Sequence, residues 1–147
     1  MSPHSPEAPR IEELVEELLQ STGQLLRRLR AEGNAAELSW SQSAILSRLQ
    51  KGGPSSTADL ARAERVKPQS MGATMAALER EGLVKRQPHP SDGRQALYDL
   101  TDLGRAAKDQ QRLLKREWLA SAMAGLEEQD KQALSTALGV IRRLARA

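Results

Sequence analysis

The chain has 147 residues, 28% of them charged and 39% hydrophobic, which suits one folded domain with a real core and excludes a disordered chain. It contains no cysteine, so disulfides, thiolate catalysis and thiol-based redox sensing are excluded, and a reducing cytoplasm is the expected compartment. The net charge of +3 and the pI of about 9.6 allow a polyanionic partner, but Trp40, Tyr98 and Trp118 are too few to stack the bases of a single strand, so a nucleic-acid partner would be a duplex.

The opening MSPHSPEAPR has no apolar h-region and reads as a disordered tail over residues 1–9 rather than a secretory signal. No stretch approaches the ~18 apolar residues of a membrane span. From Ile11 onward, Leu14, Val15, Leu18, Leu19, Leu25, Leu26 and Leu29 recur at steps of three and four, which predicts a long amphipathic helix ended by Gly33-Asn34. Ser39 and Gln42 have capping-box spacing and open a second helix that stops at Gly52-Gly53-Pro54. A second cap at Ser56-Thr57-Ala58-Asp59 starts a short helix through about Ala63. Glu64-Arg65-Val66-Lys67 then leads to Pro68, a residue suited to a helix's first turn because its missing N–H is not needed there.

From Pro68 to about Arg80, Met71, Met75 and Leu78 form an inward stripe, and Gly82 terminates the helix. Two short strands then flank HPSDGRQ (89–95) and make a hairpin over about 83–100. Thr101 is placed to cap a long helix carrying Leu103, Ala107, Leu114 and Trp118, which breaks near Gly125. A last helix carries Leu134, Leu138, Ile141 and Leu144 and ends in Arg142, Arg143 and Arg146, where cations suit the helix dipole.

A short helix, a tight turn, a second helix and a hairpin describe a winged helix-turn-helix, with the hairpin as its wing. The expected class is mainly α with a small antiparallel β wing. Residues 38–101 form the winged domain, and 10–37 with 102–147 form flanking dimerisation helices. The apolar stripes of the terminal helices outnumber the surface that a thin domain can cover, which points to burial against a second copy. The competing reading is a monomer that folds those stripes onto itself.

The helix from Pro68 keeps Gln69, Ser70, Ala73 and Thr74 on the face opposite its methionines. Gln can pair with adenine, Ser and Thr can donate or accept, and an alanine methyl can meet that of thymine. Seen alone, such residues are more often an ordinary solvated face. Their place on the second helix of a helix-turn-helix is what favours a reading role.

VKPQSMGATMAALEREGLVKRQPHPSDGRQALYDLTDLG (66–104) resembles the signature region of the MarR family of transcriptional regulators. The resemblance is carried by Leu78-Glu79, Gly82-Leu83-Val84, Asp92-Gly93-Arg94 and Leu100-Thr101 with Gly104. It implies a homodimer on a pseudo-palindromic operator, probed by recognition helices in major grooves and wings in minor grooves. By that resemblance Lys67, Pro68, Gln69, Ser70, Ala73 and Thr74 become base or backbone contacts, and Ser56 and Thr57 become phosphate contacts. Arg94 becomes the minor-groove arginine, oriented by Asp92, and Arg86 a phosphate contact or wing brace. Many members carry arginine where this chain has Gly93, which leaves open whether the glycine serves the turn or marks a lost contact.

The resemblance also implies a small lipophilic or phenolic effector, with Arg27, Arg30 and Trp40 as candidates to line its crevice. The plainer reading of Trp40 is core packing. No enzyme is expected: His4 and His89 are not spaced for metal binding, GGPSST lacks the lysine of a phosphate loop, and no cofactor is implied. The rival to a DNA-binding regulator is a winged-helix protein-interaction module without DNA binding.

Overall fold

The computed structural model describes residues 8–34 and 37–147, so most of the expected tail lies outside the described residues. Along the chain run α1 (Ile11–Gly33), α2 (Trp40–Gly52), β1 (Ser55–Ser56), α3 (Thr57–Glu64), α4 (Pro68–Arg80), β2 (Val84–Pro88), β3 (Ala96–Leu100), α5 (Asp102–Ala124) and α6 (Glu128–Leu144). The mainly α class with a small antiparallel sheet is what the sequence predicts. The sheet, however, has three strands rather than two, in the order β1-β3-β2.

The chain divides into two compact units, one comprising the chain up to Glu32 with Lys115–Ala147, the other Gly33–Leu114. The second unit holds the buried core. Ile45, Leu46 and Leu49 of α2 meet Leu60 and Ala61 of α3, Met71, Met75 and Leu78 of α4, and Val84, Tyr98 and Leu100 of the sheet. Within this unit the predicted stripes of α2 and α4 are therefore the buried ones, because each lies on a helix face that a neighbouring element covers.

Local chemistry fixes the boundaries. Both halves of the Ser39/Gln42 capping box form: the Gln42 N–H donates to Ser39 Oγ at 3.1 Å, and the Ser39 N–H to Gln42 Oε1 at 3.0 Å. Gly53 ends α2 at φ +77°, a conformation that only glycine adopts without strain. Where the motif expects tight helix-to-helix turning, the C-cap of α3 is Arg65 at φ +55° and ψ +43°. Its N–H and that of Val66 close onto Arg62 and Ala61 carbonyls, which satisfies the last turn. The Thr101 hydroxyl links three segments, donating to the Gly82 carbonyl at 2.5 Å and accepting the Gly104 N–H at 3.0 Å.

The first half of α5 is tied to α2 by polar contacts. Buried Lys108 donates to Gln111 Oε1 at 3.0 Å and lies 3.4 Å from Ser43 Oγ, which itself bonds Gln111 at 3.2 Å. In the first unit, Arg28 lies over the Trp118 ring, 5.4 Å from its centre, and pairs with Glu32 at 2.6 Å. Leu14, Leu18, Leu25 and Leu26 of α1 and Leu138, Ile141 and Leu144 of α6 remain exposed on this chain. Among the described residues no helix is long and apolar enough to cross a membrane, and no cluster of metal-ligating side chains occurs.

Candidate nucleic-acid interface

The N-terminus of α4 is left open. Lys67 at its N-cap position makes no side-chain cap, and no acidic residue stands in the first turn. The positive end of the helix dipole and the free N–H groups are thus unneutralised from within, while Pro68 removes one donor that would otherwise need a partner. Lys67, Pro68, Gln69, Ser70 and Ala73 are exposed, and Met71, Met75 and Leu78 are buried on the opposite side. Thr74 is half-buried, and its hydroxyl donates to the Ser70 carbonyl at 3.1 Å, so one of its hydrogen-bonding functions is spent on the helix itself. Gly72 has open space where a Cβ would stand.

At the start of α3, Ser56 is only 6% exposed, and its Oγ accepts the Asp59 N–H at 3.1 Å. It is the N-cap of α3 and simultaneously a member of β1. Its side chain therefore faces inward, whereas Thr57 next to it is half-exposed. The Asp59 carboxylate is held below the ordinary carboxylate range, first by its hydrogen bond from Arg62 and then by Ser56.

The wing pairs Arg86 on β2 opposite Tyr98 on β3. Arg86 Nη2 donates to Tyr98 Oη at 2.8 Å, its guanidinium lies 5.5 Å from the ring centre, and Glu79 of α4 stands 4.0 Å away. The Tyr98 hydroxyl, and more weakly Glu79, raise Arg86 above its ordinary value, so its charge is fixed. Tyr98 is buried and β1 pairs with it on the other edge of β3, Ser55 standing opposite Tyr98 and Ser56 opposite Leu97. The result is a hollow of about 300 Å³ lined by Ser56, Thr57, Ala58, Arg86, Gln95, Ala96 and Tyr98. It brings together the α3 N-terminus and the wing strand, two places that sequence reasoning had linked only through a family resemblance.

The wing tip is closed by main-chain bonds: the His89 N–H donates to the Gln95 carbonyl at 3.3 Å, and the Gln95 N–H to the Asp92 carbonyl at 3.1 Å. Asp92 Oδ1 accepts the Arg94 main-chain N–H at 3.0 Å. Among the described residues no ion pair joins Asp92 to the Arg94 guanidinium; Asp92 acts on the Arg94 backbone, and the arginine side chain is exposed. Gly93 has no positive φ, and a Cβ there would meet nothing within 4 Å. The turn does not require glycine at that position, which answers the question raised by the sequence.

Tyr98 and His89 are the residues that sequence reasoning undervalued. Tyr98 becomes visible once the strand register is known, since pairing places it across from Arg86. The effector candidates belong to different units. Arg27 and Arg30 lie on α1 in the first unit and Trp40 at the start of α2 in the second. Trp40 is 62% exposed, which overturns its reading as core: it precedes the Ile45, Leu46 and Leu49 stripe and lies off that face.

The MarR family model matches residues 38–96. The HTH-type transcriptional regulator MT0903.1 of Mycobacterium tuberculosis is 34% identical over 131 residues, covering 89% of this chain and 92% of that protein. The crystal structure of RV1404 from Mycobacterium tuberculosis superposes with a TM-score of 0.81 at 23% identity, covering 95% and 97% of the two chains. A Staphylococcus aureus MepR variant bound to an oligodeoxyribonucleotide shares the fold with a TM-score of 0.71 at 14% identity, over 93% and 99%. An open, polar-faced second helix beside an arginine-tipped wing, a matching family model and a relative at one-third identity over nearly the whole chain lead to one assignment: the chain belongs to the MarR family of transcriptional regulators.

Proposed function

We propose that this regulator binds double-stranded DNA sequence-specifically as a homodimer on a pseudo-palindromic operator, and represses transcription there. The observation that carries the reading is the α4 N-terminus, uncapped and free of acid, with Gln69, Ser70 and Ala73 exposed on its outer face. A helix end of this kind offers N–H donors and a positive dipole to phosphates while its short side chains reach base edges. Thr74 joins them through its methyl and its remaining acceptor capacity. The wing supplies Arg94 to a minor groove and Arg86, with Thr57, to the backbone. Ser56, whose hydroxyl caps α3, contributes through the position it gives Thr57. The MepR variant gives this fold a precedent on an oligodeoxyribonucleotide.

The dimer rests on the exposed stripes of α1 and α6, which a second copy would cover. A small lipophilic effector that releases the DNA, and a cytoplasmic location, complete the reading. Fluorescence anisotropy with duplexes selected from a random pool, set against unselected duplex at two salt concentrations, tests it. Affinity must fall steeply as salt rises, because each neutralised phosphate releases counterions. Selected sequences should contain half-sites about one helical turn apart. Absence of any duplex binding would instead favour a protein-interaction module.

A further inference from the structure

The imidazole of His89 sits inside the wing turn and not beside it. Its Nδ1 accepts the main-chain N–H of Ser91 at 3.1 Å and that of Asp92 at 3.0 Å, with Ser91 Oγ 3.2 Å away. Main-chain N–H groups only donate, so both bonds require a lone pair on Nδ1, which the imidazole offers only in the tautomer that carries its proton on Nε2. The two bonds feed directly into the arginine. Asp92, held through its N–H by the imidazole, holds the Arg94 N–H through its own carboxylate and the Gln95 N–H through its carbonyl. Pro90, between the imidazole and the N–H groups it binds, limits the alternatives open to the turn.

We propose that His89 is the positioning residue of the wing arginine, and that it works only as a neutral imidazole, so that acidification loosens the wing and weakens its grip on DNA. The inference rests on the DNA-binding reading. Protonation would turn Nδ1 from acceptor to donor and aim three donors at one point, which the turn can relieve only by opening. The charged residues around this histidine come from the turn itself and from α3. Asp92 lies within the turn with Arg94, and Asp59 of α3, whose carboxylate responds to His89, is bonded to Arg62. The two N–H groups directed at Nδ1 decide the geometry, because only an Nδ1 lone pair can accept them.

The sign separates this role from mere proximity to DNA. A histidine that simply lay near phosphates would gain charge in acid and strengthen binding. The test uses the full chain in three forms, wild type, His89→Asn and His89→Ala, titrated with selected duplex at about pH 8 and about pH 5.5, either side of the imidazole range. Asparagine places an oxygen acceptor at the same distance from the main chain and cannot be protonated. His89→Asn is expected to bind within about twofold of wild type at the higher pH, and His89→Ala about tenfold more weakly, as fits the loss of two hydrogen bonds. In acid, wild type should lose several-fold more affinity than His89→Asn, which also cancels any contribution from His4.

Equal affinity of His89→Ala and wild type, or wild-type binding that strengthens in acid relative to His89→Asn, overturns the proposal. Long-range proton–nitrogen correlation of the imidazole is read in parallel on the free protein. It should show an unprotonated Nδ1 at the higher pH, with Ser91 and Asp92 amides that exchange faster in His89→Ala; a protonated Nδ1 overturns the turn itself. If wild type binds no duplex at any pH, the DNA reading fails, and the spectrum still shows whether the turn is built as described.

Discussion

A Cβ placed on Gly104 would lie 2.0 Å from the carbonyl oxygen of Leu83. The neighbour is main chain, and that oxygen is already held by the Thr101 N–H at 3.1 Å, so it cannot move aside. Alanine at 104 gains up to ~1 kcal/mol of helix propensity but forces α5 away from the α4–β2 junction, an overpacking cost of ~1–3 kcal/mol or more. Gly104→Ala is expected to be net destabilising in denaturant titration. A stability equal to wild type would mean that α5 does not approach the junction this closely.

Gly72 gives the opposite result for the same substitution. Its Cβ position is open and its backbone is helical, so Gly72→Ala should stabilise the protein by ~0.5–1 kcal/mol. On DNA the added methyl sits close to the reading face, and the affinity for selected duplex should fall or stay level as stability rises. Parallel thermal melts and anisotropy titrations check the pair of signs.

Gly93→Arg is expected to be accepted by the wing without loss of stability, since neither φ nor space forbids a side chain. The added cation beside Arg94 should tighten duplex binding and steepen its salt dependence by about one unit of slope. Arg94→Ala should do the reverse while leaving the fold and the sedimentation coefficient unchanged. A salt slope that ignores both substitutions would remove the wing from the DNA interface.

Gln69→Ala should relax sequence preference by ~1–3 kcal/mol at one base position in each half-site. Thr74→Ala should cost less, because the Thr74 hydroxyl is already engaged with the Ser70 carbonyl at 3.1 Å. Selection from random duplexes with each variant reads this out. If both weaken specific and random DNA equally, both contact phosphates.

Leu18→Glu combined with Leu25→Glu places two charges on the exposed α1 stripe. Buried charge without a partner is too costly for an interface to keep. Sedimentation equilibrium should therefore show dissociation to monomer, with operator affinity lost in step. A dimer of unchanged strength would move the interface off α1.

The helices were legible in the sequence because their signals are local. The Ser39–Gln42 box, Pro68 at N1, Gly53 and the Met71–Met75–Leu78 stripe each act within a few residues of where they stand. What could not be read depends on contacts distant in the chain. Ser55-Ser56 has no strand signature, and it is a strand only because Leu97 and Tyr98 come alongside. Arg65 takes a left-handed conformation with no glycine to announce it, held by bonds to the end of α3. Trp40 looked like core from its hydrophobicity, but its position before the stripe of α2 leaves it exposed. Asp92 and Arg94 were legible as a pair, yet which atoms meet depends on the turn, as do the bonds that bring the Ser91 and Asp92 N–H groups to His89.

Tyr98 pairs with Ser55 on one side and Arg86 on the other, so β3 is shared between the start of α3 and the wing. A wing hung from two strands could swing; this one is bolted to the helix that carries Thr57. Thr57 and Arg86 therefore line one hollow whose two walls are joined through β3. If Thr57 and Arg86 hold the backbone as proposed, a site whose backbone departs from that span would have to bend to fit, and the stiffness of its sequence would become part of what is read.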